Sequence, residues 1–502
     1  MTKAERIDDL LAPHLAGRGD ALAMIDADGT PITWDQYGAM IDQMEAALRD
    51  HGLQAGGRLL AVAENASVLP VAIFAASRIG AWIIPVNARM SGSELARIEA
   101  HSDPDLVLYT SGISAEAGKH ADDAAATPEA LLAGQVHFKT LRSSLPKGEQ
   151  DVAVVLYTTG TTGDPKGVML THGNLIYAAV ASAGLRKLVA EDRVYGALPL
   201  THVFGLASML MASTLVGATI QLAARFTPKA LYEALEGGVT VLPAVPQMHA
   251  LLMAFAAEHG HSTLQNRSLR YVSSGAAPLD PTWKRKAEAF YGIALQNGYG
   301  MTETTAGVSG TQHPIGHPDI SVGPPLPETL VRLDETVGSE AGVGEVQVKG
   351  PQVMKGYFRA LDLTAAAITE DGYMRTGDLG RIDEEGRLHI VGRSKELIIR
   401  GGFNVYPPEV EAALNDHPQV VQSAVIGRTV EGNEEVLAFV QVGPTADVTP
   451  ADLTAFVANT LSAYKRPSRI ILTDVLPATA TGKILKHRLL DHFAAELAQV
   501  EA

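Results

Sequence analysis

The sequence predicts an α/β protein: a large N-terminal domain of layered parallel sheets with helices and a small β unit, followed by a small α+β C-terminal domain. Three observations predict it. The chain has 502 residues, helix-period and strand-period segments alternate between residues 30 and 330, and the pattern changes near Arg393. Repeated helix-to-strand alternation with short turns is typical of parallel sheets covered by helices. A chain of this length exceeds the usual size of one domain.

The N-terminal elements follow this alternation. Thr33 and Gln36 predict a capping box at the start of a helix that runs toward His51. The apolar segment RLLAVAEN at 58–65 predicts a buried strand. Further predicted elements are a helix over 72–79 and strands over 81–86 and 152–158.

A long uncharged stretch includes the twenty residues from Gly205 to Ala224. A membrane span has to be considered at this length. The run contains polar residues, however, and Gly217 divides it into a helix-like half and a strand-like half. We therefore predict a buried helix followed by a buried strand.

Short strands punctuated by glycine precede Arg393, in the segments 344–350, 372–380 and 386–392, and predict the small β unit. The pattern after Arg393 is that of an α+β domain. Its predicted elements are a helix over 407–417, strands over 421–427 and 435–443, and a helix from Thr449-Pro450 through Leu461. We place the N-terminal domain at 1–394 and the C-terminal domain at 395–502.

The composition excludes several classes of function. Forty Lys and Arg stand against 56 Asp and Glu, giving a net charge of −16, so a general nucleic-acid or anionic-membrane binder is disfavoured. The chain has no cysteine, which excludes disulfides, thiolate zinc sites, iron–sulfur clusters and cysteine nucleophiles. The N-terminus lacks the pattern of a signal peptide, and we expect a cytoplasmic protein.

A glycine- and threonine-rich segment, TTGTTGDPKG at 158–167, directly follows a predicted strand. Glycines let backbone N–H groups approach a polyphosphate, and Lys166 adds a positive charge. The segment is not a Walker loop, since Pro165 stands where that motif requires its second glycine. It predicts a phosphate-binding loop of another kind.

Five further motifs follow in order. They are YGMTE at 299–303, YMRTGDLG at 373–380, GRSKELII at 392–399, GGFNVYP at 401–407 and ATGKI at 480–484. In this order and spacing the sequence resembles the adenylate-forming (ANL) superfamily of acyl-CoA synthetases, firefly luciferases and peptide-synthetase adenylation domains. The resemblance covers essentially the whole chain.

The resemblance implies an acid–thiol ligase that uses ATP, Mg²⁺ and coenzyme A. A carboxylic acid attacks the α-phosphate of ATP to give acyl-AMP and pyrophosphate, and a thiol then attacks the acyl carbonyl. The carboxylate must approach a triphosphate, so the site needs cations and oriented dipoles where negative charge accumulates.

The resemblance also implies four catalytic residues. Glu303 matches the Mg²⁺ ligand, a role that suits a hard oxygen donor beside phosphates. Thr302 would donate to the α-phosphate, and Lys483 would bridge the substrate carboxylate and the α-phosphate. His202 matches a position at the mouth of the acyl pocket, although a purely structural histidine remains the competing interpretation.

Nucleotide binding is implied for a larger set. Asp378 matches the acid that accepts both ribose hydroxyls, Arg393 matches a second nucleotide contact, and Tyr299 would lie against the adenine face. The residues implied in binding ATP or coenzyme A are Thr158, Thr159, Gly160, Thr161, Thr162, Gly163, Lys166, Ser274, Gly275, Ala276, Ala277, Asn297, Gly298, Tyr299, Gly300, Asp378, Arg393, Lys395, Gly401 and Gly402.

The resemblance further implies that the C-terminal domain is mobile. It would swing about a hinge at Lys395 and bring Gly401 and Gly402 to a pantetheine tunnel. The basic cluster at 464–467 either meets coenzyme A phosphates or is a solvated turn. Prolines after His313 and His317 make a shared helix face implausible, so we predict no metal site there.

The acid is the least determined part of the prediction. Malonyl-CoA synthetases of this superfamily carry an arginine immediately before the YGMTE-type motif, where this chain has Gly298. We therefore expect an uncharged acid, either a medium- or long-chain fatty acid or an aryl acid. The small residues Ser274, Gly275 and Ala276 would leave room for it.

Other functions remain open at this stage. A stand-alone adenylation enzyme would charge a separate carrier protein, because only nineteen residues follow Lys483. A luciferase-like oxygenase would share every nucleotide motif. A catalytically silent nucleotide-binding protein is expected to lose Lys483 or Glu303, and both are present. Acetylation of Lys483 by a lysine acetylase and formation of a homodimer are also left open.

Overall fold

Two large sheets form the frame of the N-terminal part of the chain. The computed structural model describes residues 4–159, 165–265, 268–275, 279–337, 340–401, 403–430, 433–443, 446–478 and 484–499. In chain order its strands are β1 (Leu22–Ile25), β2 (Pro31–Thr33), β3 (Arg58–Ala63), β4 (Trp82–Asn87), β5 (Leu106–Tyr109), β6 (Thr127–Leu131), β7 (Gly134–Thr140), β8 (Val152–Thr159), β9 (Pro165–Thr171), β10 (Arg193–Gly196), β11 (Thr219–Leu222), β12 (Val241–Ala244), β13 (Tyr271–Ser274), β14 (Leu295–Tyr299), β15 (Ser309–Gly310), β16 (Leu330–Asp334), β17 (Gly344–Lys349), β18 (Gly356–Tyr357), β19 (Met374–Ile382), β20 (Leu388–Arg393), β21 (Ile398–Arg400), β22 (Phe403–Val405), β23 (Val420–Val430), β24 (Asn433–Val442) and β25 (Arg469–Thr473).

Helices connect and cover these strands. The α-helices are α1 (Ala12–Gly17), α2 (Trp34–Asp50), α3 (Val68–Ile79), α4 (Gly92–Ser102), α5 (Ala115–Asp123), α6 (His172–Arg186), α7 (Ala212–Val216), α8 (Pro228–Glu236), α9 (Pro246–Glu258), α10 (Pro281–Tyr291), α11 (Leu361–Ala367), α12 (Pro407–Asn415), α13 (Pro450–Val457), α14 (Leu489–His492) and α15 (Ala494–Gln499). A π-helix covers Phe204–Met211, and short 3-10 turns cover Ile7–Leu11, Thr302–Thr304, Ser394–Glu396, Ala463–Lys465 and Lys486–Arg488.

Both large sheets are parallel in the middle and antiparallel at their edges. The first has the order β15-β14-β13-β12-β10-β11-β1-β2, and only its outermost strands β15 and β2 run antiparallel. The second has the order β18-β9-β8-β4-β3-β5-β7-β6, with parallel pairing from β8 to β5. The prediction of layered parallel sheets is confirmed for the centres. The edges differ because hairpin connections reverse the chain there.

Local sequence signals account for much of this frame. Thr33 accepts from the Gln36 N–H, and the Gln36 side chain caps in return, so α2 begins where the capping box predicts. All six residues of β3 are buried, as expected for a strand covered on both faces. The predicted strands over 81–86 and 152–158 correspond to β4 and β8.

A buried amide joins the two large sheets. Asn65, which follows β3 of the second sheet, donates to the carbonyls of Gly196 at 3.0 Å and Leu198 at 2.7 Å. Its carbonyl oxygen accepts from the Leu200 N–H at 2.8 Å. These bonds hold the end of β10 in the first sheet and the turn that leads to His202.

The long uncharged run folds as predicted into a buried helix and a strand. Gly217 ends α7 in the left-handed conformation, with φ of +77°, and β11 follows. The first half of the run is π-helical, and a Cβ at Gly205 would lie 2.3 Å from the Pro199 carbonyl oxygen. In the part of the chain that the structure describes, no helix has the length and apolar character needed to cross a membrane.

The small β unit and the C-terminal domain also follow the prediction. The strands β16, β17, β19 and β20 form one antiparallel sheet. Beyond it, β23, β24 and β25 form a sheet packed with α12 and α13, and β21 pairs with β22. The helix α13 ends at Val457, before the predicted end at Leu461. The boundary between 394 and 395 stays a prediction.

A histidine in the core makes stability depend on pH. His249 is fully buried, with Nδ1 2.8 Å from the Tyr291 hydroxyl and Nε2 3.2 Å from the Ser273 carbonyl oxygen. Burial lowers its pKa from 6.5 to about 4. The unfolded chain therefore binds this proton first, so the contribution of His249 to stability is present above pH 6.5 and is lost as the pH falls toward 4.

We predict that His249→Gln flattens the pH dependence of stability between pH 6.5 and 4 by up to about one proton. Urea unfolding midpoints measured across this range for wild type and variant provide the slopes. His259→Gln, at an exposed position, is the control. Parallel curves for wild type and His249→Gln would contradict the assignment.

Candidate active site

The YGMTE segment lies at the carboxyl end of β14, where the backbone is tightly packed. A Cβ at Gly300 would lie 1.9 Å from the Ala306 carbonyl oxygen, so this position requires glycine. Thr305 and Ala306 adopt left-handed conformations, with φ of 46° and 74°. Non-glycine residues occupy this region at an energetic cost that the surrounding structure must offset. The turn between these features carries Thr302 and Glu303, both buried.

The carboxylate of Glu303 belongs to a small cluster with Tyr357 and Lys166. Its Oε1 accepts a hydrogen bond of 2.9 Å from the Tyr357 hydroxyl. The Lys166 Nζ lies 5.7 Å from the centre of the Tyr357 ring. Among the described residues, no cation forms an ion pair with Glu303. The acid is therefore held by a neutral donor, with a positive charge close by.

Sequence reasoning missed Tyr357. It lies on β18, a two-residue strand that pairs with β9 through Tyr357 and Val168, and no motif marks the segment. Burial and the neighbouring charge of Glu303 raise the pKa of Tyr357, so the hydroxyl stays protonated and can donate. Only the long-range pairing of β18 with β9 brings this hydroxyl to the acid.

A second cluster surrounds Asp378. The Tyr299 hydroxyl donates to Oδ2 of Asp378 at 2.5 Å, and Nε of Arg393 lies 3.1 Å from Oδ1. Asp378 and Arg393 face each other in the β19–β20 pair. Burial lowers the pKa of Arg393, but the charges of Asp378 and Glu396 outweigh it and raise that pKa overall. The structure thus brings together the three residues that the resemblance implies for the nucleoside.

The segment implied in phosphate binding includes the end of β8 and the start of β9, which pair as a hairpin. Thr158 pairs with Lys166, and Thr159 with Pro165, across the antiparallel strands β8 and β9. A Walker loop leads directly into a helix, whereas here α6 begins only at His172, so the architecture differs as predicted. Four of the predicted positions, Gly160, Thr161, Thr162 and Gly163, lie outside the described residues.

The strands β13 and β14 carry the residues implied beside the base. Ser274 ends β13, and Gly275 follows it. The side chain of Asn297 is engaged within the protein: its Nδ2 donates to the Ser321 carbonyl at 3.0 Å, and its Oδ1 accepts from the Gly298 N–H at 3.0 Å. It thus holds the strand end in place. Ala276 and Ala277 lie outside the described residues.

We call the region between these strands and the π-helix, bordered by Gly275, Gly298 and Phe204, the slot. A Cβ at Gly275 would lie 3.1 Å from the Phe204 ring, and one at Gly298 would lie 3.2 Å from the Ser309 carbonyl oxygen. A side chain at either position would therefore crowd its neighbour. His202 precedes the π-helix, and its Nδ1 accepts from the Phe204 N–H at 3.3 Å. This bond gives His202 a structural role in the turn.

The turn that contains the predicted hinge contacts residues that precede it and residues that follow it in the chain. Lys395 lies in the turn Ser394–Glu396, where the Ser394 hydroxyl donates to the Gly377 carbonyl at 3.1 Å. Nζ of Lys486 lies 3.1 Å from Glu396 and 2.8 Å from Glu411. The residues that follow Lys483 are thus linked to the hinge turn. Lys483 itself lies outside the described residues.

The β21–β22 hairpin carries Gly401 in the left-handed conformation, with φ of +60°. Its N–H donates to Oδ1 of Asn433 at 2.7 Å. Gly402, the second predicted glycine, lies outside the described residues.

The basic cluster at 464–467 is engaged within the C-terminal domain. Nζ of Lys465 lies 2.6 Å from Glu409, and Nε of Arg466 donates to the Leu461 carbonyl at 2.9 Å. Their charged groups therefore already have protein partners.

The family models of known proteins match both parts of the chain. The AMP-binding enzyme model matches residues 11–358, and the AMP-binding enzyme C-terminal domain model matches residues 409–483. The chain belongs to the AMP-binding enzyme family. It is an AMP-forming acid–CoA ligase of the ANL superfamily, as the sequence motifs imply.

Individual members of the AMP-binding enzyme family resemble the chain over nearly its full length. A feruloyl-CoA synthase from Amycolatopsis sp is 33% identical over 480 residues, covering 93% of this chain and 94% of the relative. The crystal structure of ATP-bound MatB from Rhodopseudomonas palustris has a TM-score of 0.82 at 30% identity, covering 97% and 99%. The o-succinylbenzoate coenzyme A synthetase (MenE) from Bacillus subtilis, in complex with ATP and magnesium ion, has a TM-score of 0.80 at 28% identity, covering 96% and 98%.

His313, His317 and Asp319 lie close together in this AMP-binding enzyme, contrary to the prediction of no metal site. The prolines do keep His313 and His317 out of a helix, yet their rings stack with centres 4.1 Å apart, and Asp319 joins them in a group that could hold a metal ion. Helical spacing was therefore the wrong test. Oδ2 of Asp319 is, however, 2.6 Å from His313 and accepts from Ser321 at 2.7 Å, so protein donors already surround it.

We predict that Tyr357→Phe raises the KM for Mg²⁺ in acyl-AMP formation by about ten-fold, because the Glu303 carboxylate loses the hydrogen bond that orients it. Magnesium titrations of pyrophosphate release at saturating ATP measure the effect. Tyr232→Phe, on α8, is the control. An unchanged KM for Mg²⁺ in Tyr357→Phe would refute the positioning role.

Proposed function

We propose that this acid–CoA ligase first joins ATP and a carboxylic acid to give acyl-AMP and pyrophosphate, and then transfers the acyl group to the thiol of coenzyme A. One observation carries the proposal. The Glu303–Tyr357–Lys166 cluster and the Asp378–Tyr299–Arg393 cluster both border the YGMTE turn at the end of β14. One cluster suits a metal-bound triphosphate, and the other suits a nucleoside.

The Glu303 carboxylate fits a magnesium ion. It is buried, offers hard oxygen donors, and receives its hydrogen bond from an uncharged hydroxyl. Bound Mg²⁺ would neutralise charge on the phosphates. Lys166, on the strand that follows the phosphate loop, would add a second positive charge. Thr302, beside Glu303 in the same turn, would donate its hydroxyl to the α-phosphate.

The Asp378 cluster supports binding of the nucleoside. A carboxylate with two oxygens can accept both ribose hydroxyls, and the positive charge of Arg393 lies against that carboxylate. The Tyr299 hydroxyl anchors its ring beside Asp378, where the ring would present a face to adenine. Binding of the ribose would require its hydroxyls to share the oxygens that Tyr299 and Arg393 now contact.

The thioester step would use the second domain. We propose rotation about Lys395, which removes Lys483 from the site and brings Gly401 and Gly402 toward the acyl-adenylate. The chain has no cysteine, so the thiol must arrive on a separate molecule. Coenzyme A is the acceptor that we propose. A separate carrier protein is the alternative.

The acid would occupy the slot bordered by Gly275 and Gly298, with the carboxylate that is activated at the end near His202. Its aryl ring or alkyl chain would lie along these two glycines, where a larger residue would crowd Phe204 or the Ser309 carbonyl. The general test is a pyrophosphate-release assay over fatty, aryl and dicarboxylic acids, with and without coenzyme A. Acid-dependent release and formation of an acyl-CoA would support the proposal. Release that is followed by no transfer to coenzyme A would favour the carrier protein.

We predict that Lys483→Ala lowers acyl-AMP formation by at least about 100-fold, while thioester formation from supplied acyl-AMP stays within about three-fold of wild type. The physical reason is that the lysine charge is needed only where the carboxylate meets the α-phosphate. Separate assays of the two half-reactions measure this, each serving as the control for the other. Equal loss in both would contradict the assignment.

We predict that Lys395→Pro leaves acyl-AMP formation near the wild-type rate and impairs the thioester step, because proline restricts the backbone rotation that a hinge requires. Single-turnover assays of each step measure the effect. Lys395→Ala, which keeps backbone freedom, is the matched control. A thioester step that is unchanged in Lys395→Pro would exclude the hinge.

A further inference from the structure

Arg186 is a buried cation at the last position of α6, with 5% of its surface exposed. One terminal nitrogen, Nη2, donates to the Ser208 hydroxyl at 2.6 Å, and Nη1 donates to the Ser208 carbonyl. The Tyr271 side chain is a further hydrogen-bonding neighbour. Nε has no hydrogen-bond partner among the described residues. All of these contacts are with uncharged groups.

This guanidinium has no counter-charge in the described part of the chain. Asp192, the acid held by the neighbouring Arg270, is already engaged in that ion pair. Burial lowers the pKa of Arg186, which reflects the cost of keeping its charge out of water. A buried charge normally has a charged partner, because neutral hydrogen bonds offset only part of that cost. A bound anionic ligand would supply the missing negative charge.

The position of Arg186 relates it to the slot. Ser208 lies four residues after Phe204 on the π-helix, close to one turn, so the two side chains share a face. On β13 the side chains of Tyr271 and Ser273 point to the same face as Gly275, since side chains alternate along a strand. Phe204 meets Gly275 and Ser208 meets Arg186, so the guanidinium lies about one turn of the π-helix along the slot from the contact of Phe204 with Gly275.

The far end of the slot is polar. Arg186, Ser208, Tyr271 and Ser273 contribute its donors and acceptors. An alkyl tail that reached this end would leave the charge without a partner. An anion would instead meet a guanidinium and hydroxyl donors, which is the arrangement that carboxylate and sulfonate groups favour.

We propose that Arg186 determines specificity by binding a second anionic group, at the end of the acid that is remote from the carboxylate to be activated. The substrate class is thus an acid with a carboxylate or sulfonate beyond an aryl ring or a chain of several carbons. This inference rests on the proposed function and deepens it. It differs from the expectation of an uncharged acid, which rested on Gly298 and the small residues at 274–276, whereas the cation comes from α6.

Wild-type protein with matched acids provides the first test. Octanoate is compared with suberate, and cinnamate with 4-carboxycinnamate, by pyrophosphate release at saturating ATP and Mg²⁺. We expect kcat/KM to favour the dianion of at least one pair by about 30-fold or more. Equal or higher kcat/KM for both monoanions would overturn the inference and leave the proposed function intact. Absence of release with every acid would refute the proposed function and this inference with it.

The second test replaces Arg186 by other residues. We expect Arg186→Met to lower kcat/KM for the preferred dianion by about 30-fold or more and to leave its monoanion partner unchanged or improved. Arg186→Lys, which keeps the charge, should retain part of the preference. Arg285→Met, at an exposed position on α10, is the control and should behave as wild type. Equal losses for both acids in Arg186→Met would indicate a structural role and contradict the proposal. If that variant does not fold, the wild-type comparison decides.

Discussion

The ion pair between Arg393 and Asp378 connects the nucleotide site that we propose to the start of the C-terminal domain. Arg393 ends β20, and Lys395, the hinge that we propose, lies two residues further along. The same carboxylate accepts from Tyr299 at the end of β14, so the small β unit and the large sheet meet at one acid. Rotation about the hinge would therefore begin from a fixed residue. The nucleotide site and the movement for the second half-reaction, both of which we propose, thus share this one contact.

Charge is the second constraint on the protein. The chain carries a net charge of −16, yet the proposed reaction brings together several anions. Positive charges lie beside both clusters: Lys166 lies near the ring of Tyr357, whose hydroxyl binds Glu303, and Arg393 lies against Asp378. Arg186 differs from both because its neighbours are uncharged. A carboxylate-bearing substrate would supply the charge that the protein leaves out at that position.

Much of the fold could be predicted because its signals are local. The capping box at Thr33, the apolar run of β3 and the glycine at 217 each act within a few residues, and the structure confirms all three. Features that depend on pairing between distant segments could not be predicted. Tyr357 reaches Glu303 only because β18 adds to β9, and the stacked rings of His313 and His317 arise in a loop without helical spacing.

The sequence by itself determined the family, the order of the motifs and the chemical type of most candidate site residues, since these are properties of residues that are close together along the chain. Only the tertiary structure decided which groups meet. It brought Tyr299 and Arg393 to the same carboxylate, engaged the Asn297 amide within the protein, and left Arg186 buried beside uncharged groups. The physical reason is that burial, ion pairing and hydrogen bonding depend on distances between segments, and one chain read along its length does not contain those distances.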